Sequence, residues 1–400
     1  MNILMLTPYL PYPLVSGGQI RTYNLLKNLH GKHTITLFCY IRKEKERQYI
    51  KHLEHFCSTI RVFKRRPVWT PQNILKSQFS FNPLLMTMYS SQELQDAIKQ
   101  EIGTGKYDLI HAETFYMMPN IPKTTLPTIL VVQTIEHLGY LEYTKRHKNP
   151  LFKPFLYWDV TKIKYWEEKY WKQATRLIAM SDEDRKYIRK RIPDVGPIDV
   201  VANGVDIDHF HEVKKQLTKD FIVLFVGTFK WLPNVEAVEY LVTKVWKKII
   251  DRIPNAKLWI VGNSPTQRIL DLAQGDPSII VKGRVDDIRD AYKHANVLLA
   301  PVWSGKGTRY KILEAMATDT PIVATSLAVE GLGVVPGVQA LVANDAQGLA
   351  DRVILLSNDR QLAKTLAKNG SELVKKGYNW SSIAKKLDEI YIQVGSYGQS

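Results

Sequence analysis

Between residues 221 and 324, short uniformly apolar runs alternate with stretches of helical character, and few folds accommodate that order. Phe221-Ile-Val-Leu-Phe-Val226 is rich in β-branched and aromatic residues, shows no polar alternation and stops at Gly227, as a strand buried on both faces does. The pattern predicts a helix from Asn234, read as an N-cap after Pro233, to about Arg252. Strands follow at 257–261 and 279–281, a helix at 286–294, a strand at 297–300, a helix at 308–317 and a strand at 322–324. Strands and helices at this pitch make βαβ units on a parallel sheet, so one doubly wound domain is expected over about 215–375.

The first half repeats the grammar less cleanly. Strands are predicted at 3–6, 34–40, 60–63, 109–111, 129–133 and 177–180, with a helix at 19–29 and a charged helix between the second and third strands. Ser181 with Asp184 three residues on reads as a capping box opening another helix. A polar stretch near 205–218 divides the chain into domains 1–210 and 211–378. The helix and tail over 379–400 have no strand behind them and are free to pack back on the first domain. The expected architecture is α/β: two doubly wound, Rossmann-like domains facing each other across a cleft, with ligands at the carboxyl ends of the strands.

Composition narrows the function. A chain of 400 residues with 45% apolar and 24% charged side chains is globular, and its length suits two cores. No apolar run approaches the eighteen or so residues of a spanning helix, and the start lacks the marks of a signal peptide, so a cytoplasmic protein is expected. Cys39 and Cys57 supply neither a disulfide framework nor a zinc site, and with no HExxH or clustered Asp, no metal is expected. The net charge of +16 favours polyanionic partners: nucleic acid, an anionic membrane face or phosphorylated small molecules. Gly103-Thr-Gly-Lys106 imitates a phosphate loop, but its first glycine is misplaced and Tyr107 replaces the Ser/Thr. Gly305-Lys-Gly307 starts a dinucleotide fingerprint that Tyr310 breaks, so no cofactor is expected.

The segment Pro301–Ala317 is the most informative. A strand ends there in a glycine-containing loop, a helix is predicted to open near Thr308, and Lys306, Arg309 and Lys311 crowd its first turn. The helix dipole disfavours cations at that end, by roughly 0.3–1 kcal/mol each, unless an anion binds among them. Glu314 lies one and a half turns further on, either at ribose distance or paired with Lys311. A second candidate is the Gly17-Gly18 loop, whose backbone N–H groups can approach a ligand, or which simply connects strand to helix. His111, Glu136 and His137 fall at predicted strand ends, where site residues and structural ones both occur. Residues 145–172 interleave basic and aromatic side chains, and 42–66 adds further basic charge. Membrane contact is the expectation, core packing and single-stranded nucleic acid the alternatives.

Taken in order, several blocks resemble a known family. They are Phe225-Val-Gly-Thr-Phe-Lys-Trp-Leu-Pro-Asn234, Ile260-Val-Gly262, Gly283-Arg-Val-Asp-Asp287, Gly305-Lys-Gly-Thr-Arg-Tyr-Lys-Ile-Leu-Glu-Ala-Met-Ala317, Thr320–Thr325 and Glu330-Gly-Leu332. Weaker echoes are Ser16-Gly-Gly18 with Arg21, Asp108-Leu-Ile-His111, Ile135-Glu-His137, Met180-Ser181 and Asn203-Gly-Val-Asp206. The chain resembles the family-four, retaining GT-B glycosyltransferases (glycosyl transferases group 1) over most of its length.

The resemblance implies a hexosyl- or pentosyltransferase acting on a nucleotide-diphosphate sugar, without bound metal, in polysaccharide or glycolipid synthesis. Arg309 and Lys311 would hold the diphosphate with Gly307, Thr308 and Lys230, Glu314 the ribose, and Arg284 with Val285 the base edge. His111 would act at the sugar, Gly17-Gly18 beside sugar and acceptor, and Glu136 and His137 on the acceptor side. The partners implied are the donor, a glycan or glycolipid acceptor and an anionic membrane surface, reached peripherally from the inner face, with no nucleic acid. Lys306 stands where the family has the first of two glutamates, Gly227-Thr228 where many members have Gly-Arg, and Asp319 where a glycine is frequent. The alternatives are a non-catalytic sugar-nucleotide or glycan-binding protein and a sugar-nucleotide epimerase on the same fold.

Overall fold

The computed structural model describes residues 1–67, 70, 77, 79–147, 149–305, 307 and 309–397, with only the backbone of Tyr397. Two compact units emerge: Met1–Asn203 with the chain from Trp380 onward, and Gly204–Asn379.

The first unit is built on seven parallel strands: β1 (Asn2–Thr7), β2 (Thr34–Ile41), β3 (Thr59–Lys64), β4 (Leu109–Glu113), β5 (Thr128–Val132), β6 (Arg176–Ala179) and β7 (Ile198–Val200). Their order is β3-β2-β1-β4-β5-β6-β7, with the reversal between β1 and β4. The central strands are apolar on both faces because helices cover both faces, so they show no in–out alternation. The second unit carries β8 (Phe221–Val226), β9 (Ala256–Val261), β10 (Ile279–Gly283), β11 (Val297–Ala300), β12 (Ile322–Ala324) and β13 (Leu341–Val342). They pair in parallel in the order β10-β9-β8-β11-β12-β13, reversing between β8 and β11. Both sheets are therefore Rossmann-like, and both have a switch point where the strand order opens a carboxyl-end crevice.

The sequence expectations hold for the long elements and shift at their edges. The helix expected at 234–252 is one continuous helical segment from Leu232 to Ile250, with a π-helical stretch over Leu241–Trp246. Its N-cap is Trp231, not Asn234, because Pro233 takes the first turn, where its missing N–H costs nothing. The helix expected at 286–294 begins only at Arg289, and the one expected at 308–317 begins at Tyr310. The charged helix after β2 is a 3-10 helix, Glu44–His52. The short edge strands β7 and β13 carry too few residues to show a pattern.

The last helix, Trp380–Tyr397, belongs to the first unit and packs on the Gly17–Leu29 helix. Leu387, Tyr391 and Val394 are fully buried there. Asp388 accepts from Lys32 Nζ (2.7 Å) and meets His33 Nε2 (2.8 Å). The Tyr391 hydroxyl lies 2.7 Å from His111 Nδ1 inside β4. In the second unit, Lys215 does comparable work within the polar stretch read as a linker. Its ammonium donates to Tyr292 O (2.8 Å), Ala295 O (3.2 Å) and Thr320 Oγ1 (2.6 Å), closing the carboxyl end of a helix. Burial pulls its pKa down to about 7. Asp319, beside it, adopts φ 49°, the left-handed region that Asp tolerates better than most residues.

Replacing Tyr391 tests the clasp of the last helix. Tyr391→Ala leaves a cavity and an unpaired buried imidazole, and should cost about 3–5 kcal/mol, whereas Tyr391→Phe should cost about 1–2 kcal/mol. Urea unfolding followed by circular dichroism reads both, and a Tyr391→Phe variant as stable as the unsubstituted chain would show that the hydroxyl contributes nothing.

Candidate functional site

In the second unit, the carboxyl ends of β8, β9 and β11 are drawn together by residues lacking side chains. A Cβ on Gly262, just past β9, would lie 1.7 Å from the Gly227 carbonyl, so only glycine lets the two backbones approach. Gly227, just past β8, is equally closed, since a Cβ there would meet Asn234 Cγ at 2.8 Å. Gly305, after β11, has φ 87° and rests against Pro233 at the start of the neighbouring helix. Ser304 donates to Glu236 Oε2 (2.8 Å), fastening that loop to the same helix.

Asn234, freed from capping, turns inward. Its Nδ2 donates to Thr228 O (2.9 Å) and its Oδ1 accepts from Lys311 Nζ (2.9 Å). The Lys311 ammonium also lies 4.2 Å from the centroid of the Phe225 ring. Lys311 is 9% exposed, and among the described residues no carboxylate lies within ion-pair distance of it. Its pKa is pulled down to about 7, by burial first and the charge of Arg309 second, with Glu314 opposing. Arg309, the N-cap residue, donates from Nη2 to Ser304 O (3.2 Å) and Gly305 O (2.7 Å), bracing the loop before the helix. Glu314 does not pair with Lys311. It accepts from the Tyr292 hydroxyl (2.9 Å), and burial pushes its carboxyl above the ordinary range. Lys311 is thus a buried ammonium beside a second cation at a helix start, with no carboxylate at ion-pair distance from it among the described residues, a placement that disfavours its charge until an anion arrives.

Other expected donor-side residues share this edge of the sheet. Lys230 is exposed in the turn after β8; Arg284 is exposed and Val285 half-buried just past β10. Gly307 is exposed with φ 97°. Lys306 and Thr308 lie outside the described residues.

The first unit corrects several sequence expectations. Strand β4 runs on to Glu113, so His111 sits inside the strand and not at its end. It is fully buried, with Nε2 3.2 Å from Glu113 Oε1 and Nδ1 2.7 Å from the Tyr391 hydroxyl. His137 is likewise buried and doubly engaged, by Glu167 Oε2 (2.6 Å) and the Tyr187 hydroxyl (2.9 Å). Glu136 is half-buried beside it. Its carboxyl is pushed up to about 7 by burial and by the charge of Glu167. Gly17 and Gly18 are not a loop: they open the helix, with Ser16 as N-cap. Gly18 is required by packing, since a Cβ would meet the Tyr9 hydroxyl at 2.4 Å.

The sequence reading missed Glu113, the residue that occupies the end of β4. Burial alone would raise its carboxyl, but the His111 hydrogen bond and the charges of His111 and Arg21 hold it below the ordinary range. Gln133 donates to it and to the Tyr9 hydroxyl (2.7 Å), and Arg21 Nη1 reaches Val201 O and Ala202 O (3.0 Å each). The available signal was the placement of a Glu one strand step beyond a His.

Residues 15–209 match the family model described as Glycosyltransferase Family 4, and residues 220–359 the one described as Glycosyl transferases group 1. The chain belongs to glycosyltransferase family four. Its two Rossmann-like units are those of the GT-B glycosyltransferases. An uncharacterized 44.6 kDa protein in the cps region of Klebsiella pneumoniae is 22% identical, covering 96% of this chain and 99% of its own. The phosphatidyl-myo-inositol mannosyltransferase of Mycolicibacterium smegmatis is 25% identical, covering 75% of each. The structure of Anabaena Alr3699/HepE with UDP and glucose superposes with a TM-score of 0.66 at 16% identity, covering 98% of this chain and all of the other.

Lys311 gives the site a measurable signature. Its pKa is lower folded than unfolded, so between pH about 7 and 10 the unfolded chain binds more protons and stability rises with pH; below about 7 the cost of burial is full. Lys311→Met should therefore stabilise the free protein at pH 7 by an amount on the order of 2 kcal/mol and flatten that rise. Urea unfolding of both proteins at pH 7 and pH 9 checks it; a destabilised variant would mean that the ammonium is a structural partner.

Proposed function

We propose that this glycosyltransferase moves a hexose or pentose from a nucleotide-diphosphate sugar to a hydroxyl of a glycan, glycolipid or lipid-linked acceptor, with retention of anomeric configuration and without a metal ion. The observation that carries the reading is the pair of cations at the start of the Tyr310–Ala317 helix, one of them buried at a cost the free protein does not recover. A diphosphate would bring two adjacent anionic groups within reach of a guanidinium, the buried ammonium of Lys311 and helix N–H groups. Glu314, held by Tyr292, suits a ribose hydroxyl as an acceptor, and the exposed edge at Arg284 and Val285 suits a base. The complex of HepE with UDP and glucose makes UDP-glucose the first donor to try.

The reaction breaks the bond from the anomeric carbon to the diphosphate oxygen and forms one to the acceptor oxygen. In a front-face displacement the acceptor proton passes to the leaving diphosphate, so the protein's main task is to stabilise charge developing on that group. Pre-placed donors in a dry site do this without reorganisation. Arg309 and Lys311 fill the role in which other enzymes use a divalent ion. The acceptor is assigned to the first unit, with Gly17, Gly18 and Glu136 at its carboxyl edge; a relative that mannosylates phosphatidyl-myo-inositol supports an acceptor carried on lipid, met at the cytoplasmic face.

Donor turnover tests the reading. Transfer or hydrolysis of the donor should be insensitive to EDTA, and Arg309→Ala should lower kcat/KM by about 10²–10³. A chain that binds donor but turns none over would be a binding protein, and one that interconverts sugars without acceptor an epimerase.

Donor binding should also recharge Lys311. Titration calorimetry with UDP near pH 8, in buffers of different ionisation enthalpy, should show uptake of about half a proton or more, absent in Lys311→Met. No uptake in the unsubstituted protein would remove Lys311 from the diphosphate.

A further inference from the structure

The carboxyl ends of β2 and β3 carry cations that the donor reading does not use. Ile41 stands opposite Lys64 in the sheet, and Arg65 N donates to Ile41 O (2.9 Å), so Arg42 and Arg65 leave the two strands side by side, with Arg66 next. Among the described residues no carboxylate lies within ion-pair distance of these three arginines. Glu46, the acid on the helical turn that follows β2, accepts instead from the Arg42 and Lys43 backbone N–H groups (3.2 and 3.1 Å).

Arg42 and Arg66 are exposed, as surface arginines ordinarily are. Arg65 differs. It is half-buried, its Nη1 donates to the Tyr89 hydroxyl (2.7 Å), and its guanidinium carbon lies 5.2 Å from the centroid of the same ring. Its Nε is buried without a hydrogen-bond partner, a rare state for a buried donor. Tyr89 is itself held firmly. Its carbonyl accepts from the Tyr40 hydroxyl and from Asn120 Nδ2 (2.8 Å each), and its ring stacks on Tyr116 (4.7 Å, 30°). The guanidinium is thus braced through one nitrogen, while its Nε–Nη2 edge, the edge that takes a phosphate bidentately, is unused by the chain. We propose that Arg65, flanked by Arg42 and Arg66, binds a phosphoryl group carried by the acceptor. The inference rests on the assignment of the acceptor to the first unit, and narrows that acceptor to a phosphate ester. Tyr89 is buried and engaged by both Tyr116 and Arg65, so it offers no face on which a nucleobase could stack.

The test needs no donor. Ligand-observed NMR on the full chain compares glycerol with its monoester, glycerol 3-phosphate, and with a soluble diester, dibutanoyl phosphatidylglycerol. Both esters should bind at least about tenfold more tightly than glycerol, and inorganic phosphate should compete with them. The tighter ester names the source: a monoester points to a soluble phosphosugar, a diester to a lipid headgroup. Arg65→Gln should weaken both esters about ten- to a hundredfold at unchanged circular dichroism. Arg65→Lys keeps the charge and loses the fork, so it should weaken them by less, and it reads the same contact should Arg65→Gln not fold. Arg309→Ala should bind the esters like the unsubstituted chain, and UDP titrated separately reads the donor site, so the two readings fail independently. Equal affinity for glycerol and its esters, or ester binding unchanged in both Arg65 variants, overturns the proposal. So does ester binding lost in Arg309→Ala, or tight oligonucleotide retention that Arg65→Gln abolishes.

Discussion

The energetics of the second unit turn on one lysine placed where a lysine is least comfortable. Lys311 stands at the positive end of a helix, beside Arg309, with an aromatic face and an amide oxygen as its nearest company. Several local features exist to keep that arrangement in place. Asn234 is held by Thr228 so that its oxygen, not its nitrogen, meets the ammonium, and Gly227 leaves the room that Asn234 occupies. Gly262 lets β8 and β9 end close together, and Pro233 starts the helix that supports both Asn234 and the Gly305 loop. A hydrophobic residue at 311 would suit the free protein better. The lysine is understandable only if its charge is used by something that comes and goes.

The first unit spends its buried charge differently. Arg21, Glu113 and His111 form a connected group inside the sheet, reached by Gln133 on one side and by Tyr391 of the last helix on the other. Every one of these groups already has a partner within the unit. Their role is to fix the carboxyl end of β4 and to tie the Val201–Ala202 backbone and the last helix to it. Glu136, half-buried and with its carboxyl pushed toward neutrality, is a carboxyl group at this edge that retains some exposure.

What could be read in the sequence follows from how each feature is encoded. Long strands buried on both faces announce themselves as unbroken apolar runs, so Phe221–Val226 was visible and the three-residue Ile198–Val200 was not. Lys306, Arg309 and Lys311 stand out because three cations crowd one predicted helix start, with Glu314 one and a half turns further on, a local signal. Whether Glu314 pairs with Lys311 or with Tyr292 depends on a residue twenty-two positions away, and spacing along one helix cannot reveal it. The same holds for His111: its Nδ1 meets Tyr391, 280 residues on, a contact that spacing within one strand cannot reveal. For the aromatic residues of 145–172 the sequence left membrane contact, core packing and nucleic acid as rival readings, and the ring that joins their outer face, Phe81, comes from elsewhere in the chain.

Backbone strain supports the same division of labour. Among the described non-glycine residues, positive φ occurs at Thr114, Ser264 and Asp319. Thr114 directly follows β4, and Ser264 comes three residues after β9, so two of the three lie at carboxyl ends of strands. A β-branched residue at φ 85° costs on the order of 1–3 kcal/mol, and it persists only where the surroundings over-determine it. At Thr114 those surroundings are the buried Glu113 group on one side and the packed Phe115 on the other. Strain and buried charge thus occur at the carboxyl ends, with Thr114 beside Glu113 in the first sheet and Ser264 beside the Gly227–Gly262 approach in the second, and also at the other edge of the second sheet, with Asp319 beside Lys215. What distinguishes the carboxyl edge of the second sheet is that glycine-only contacts there adjoin a buried ammonium with no carboxylate at ion-pair distance among the described residues, whereas Lys215 at the opposite edge closes a helix end and has a structural task.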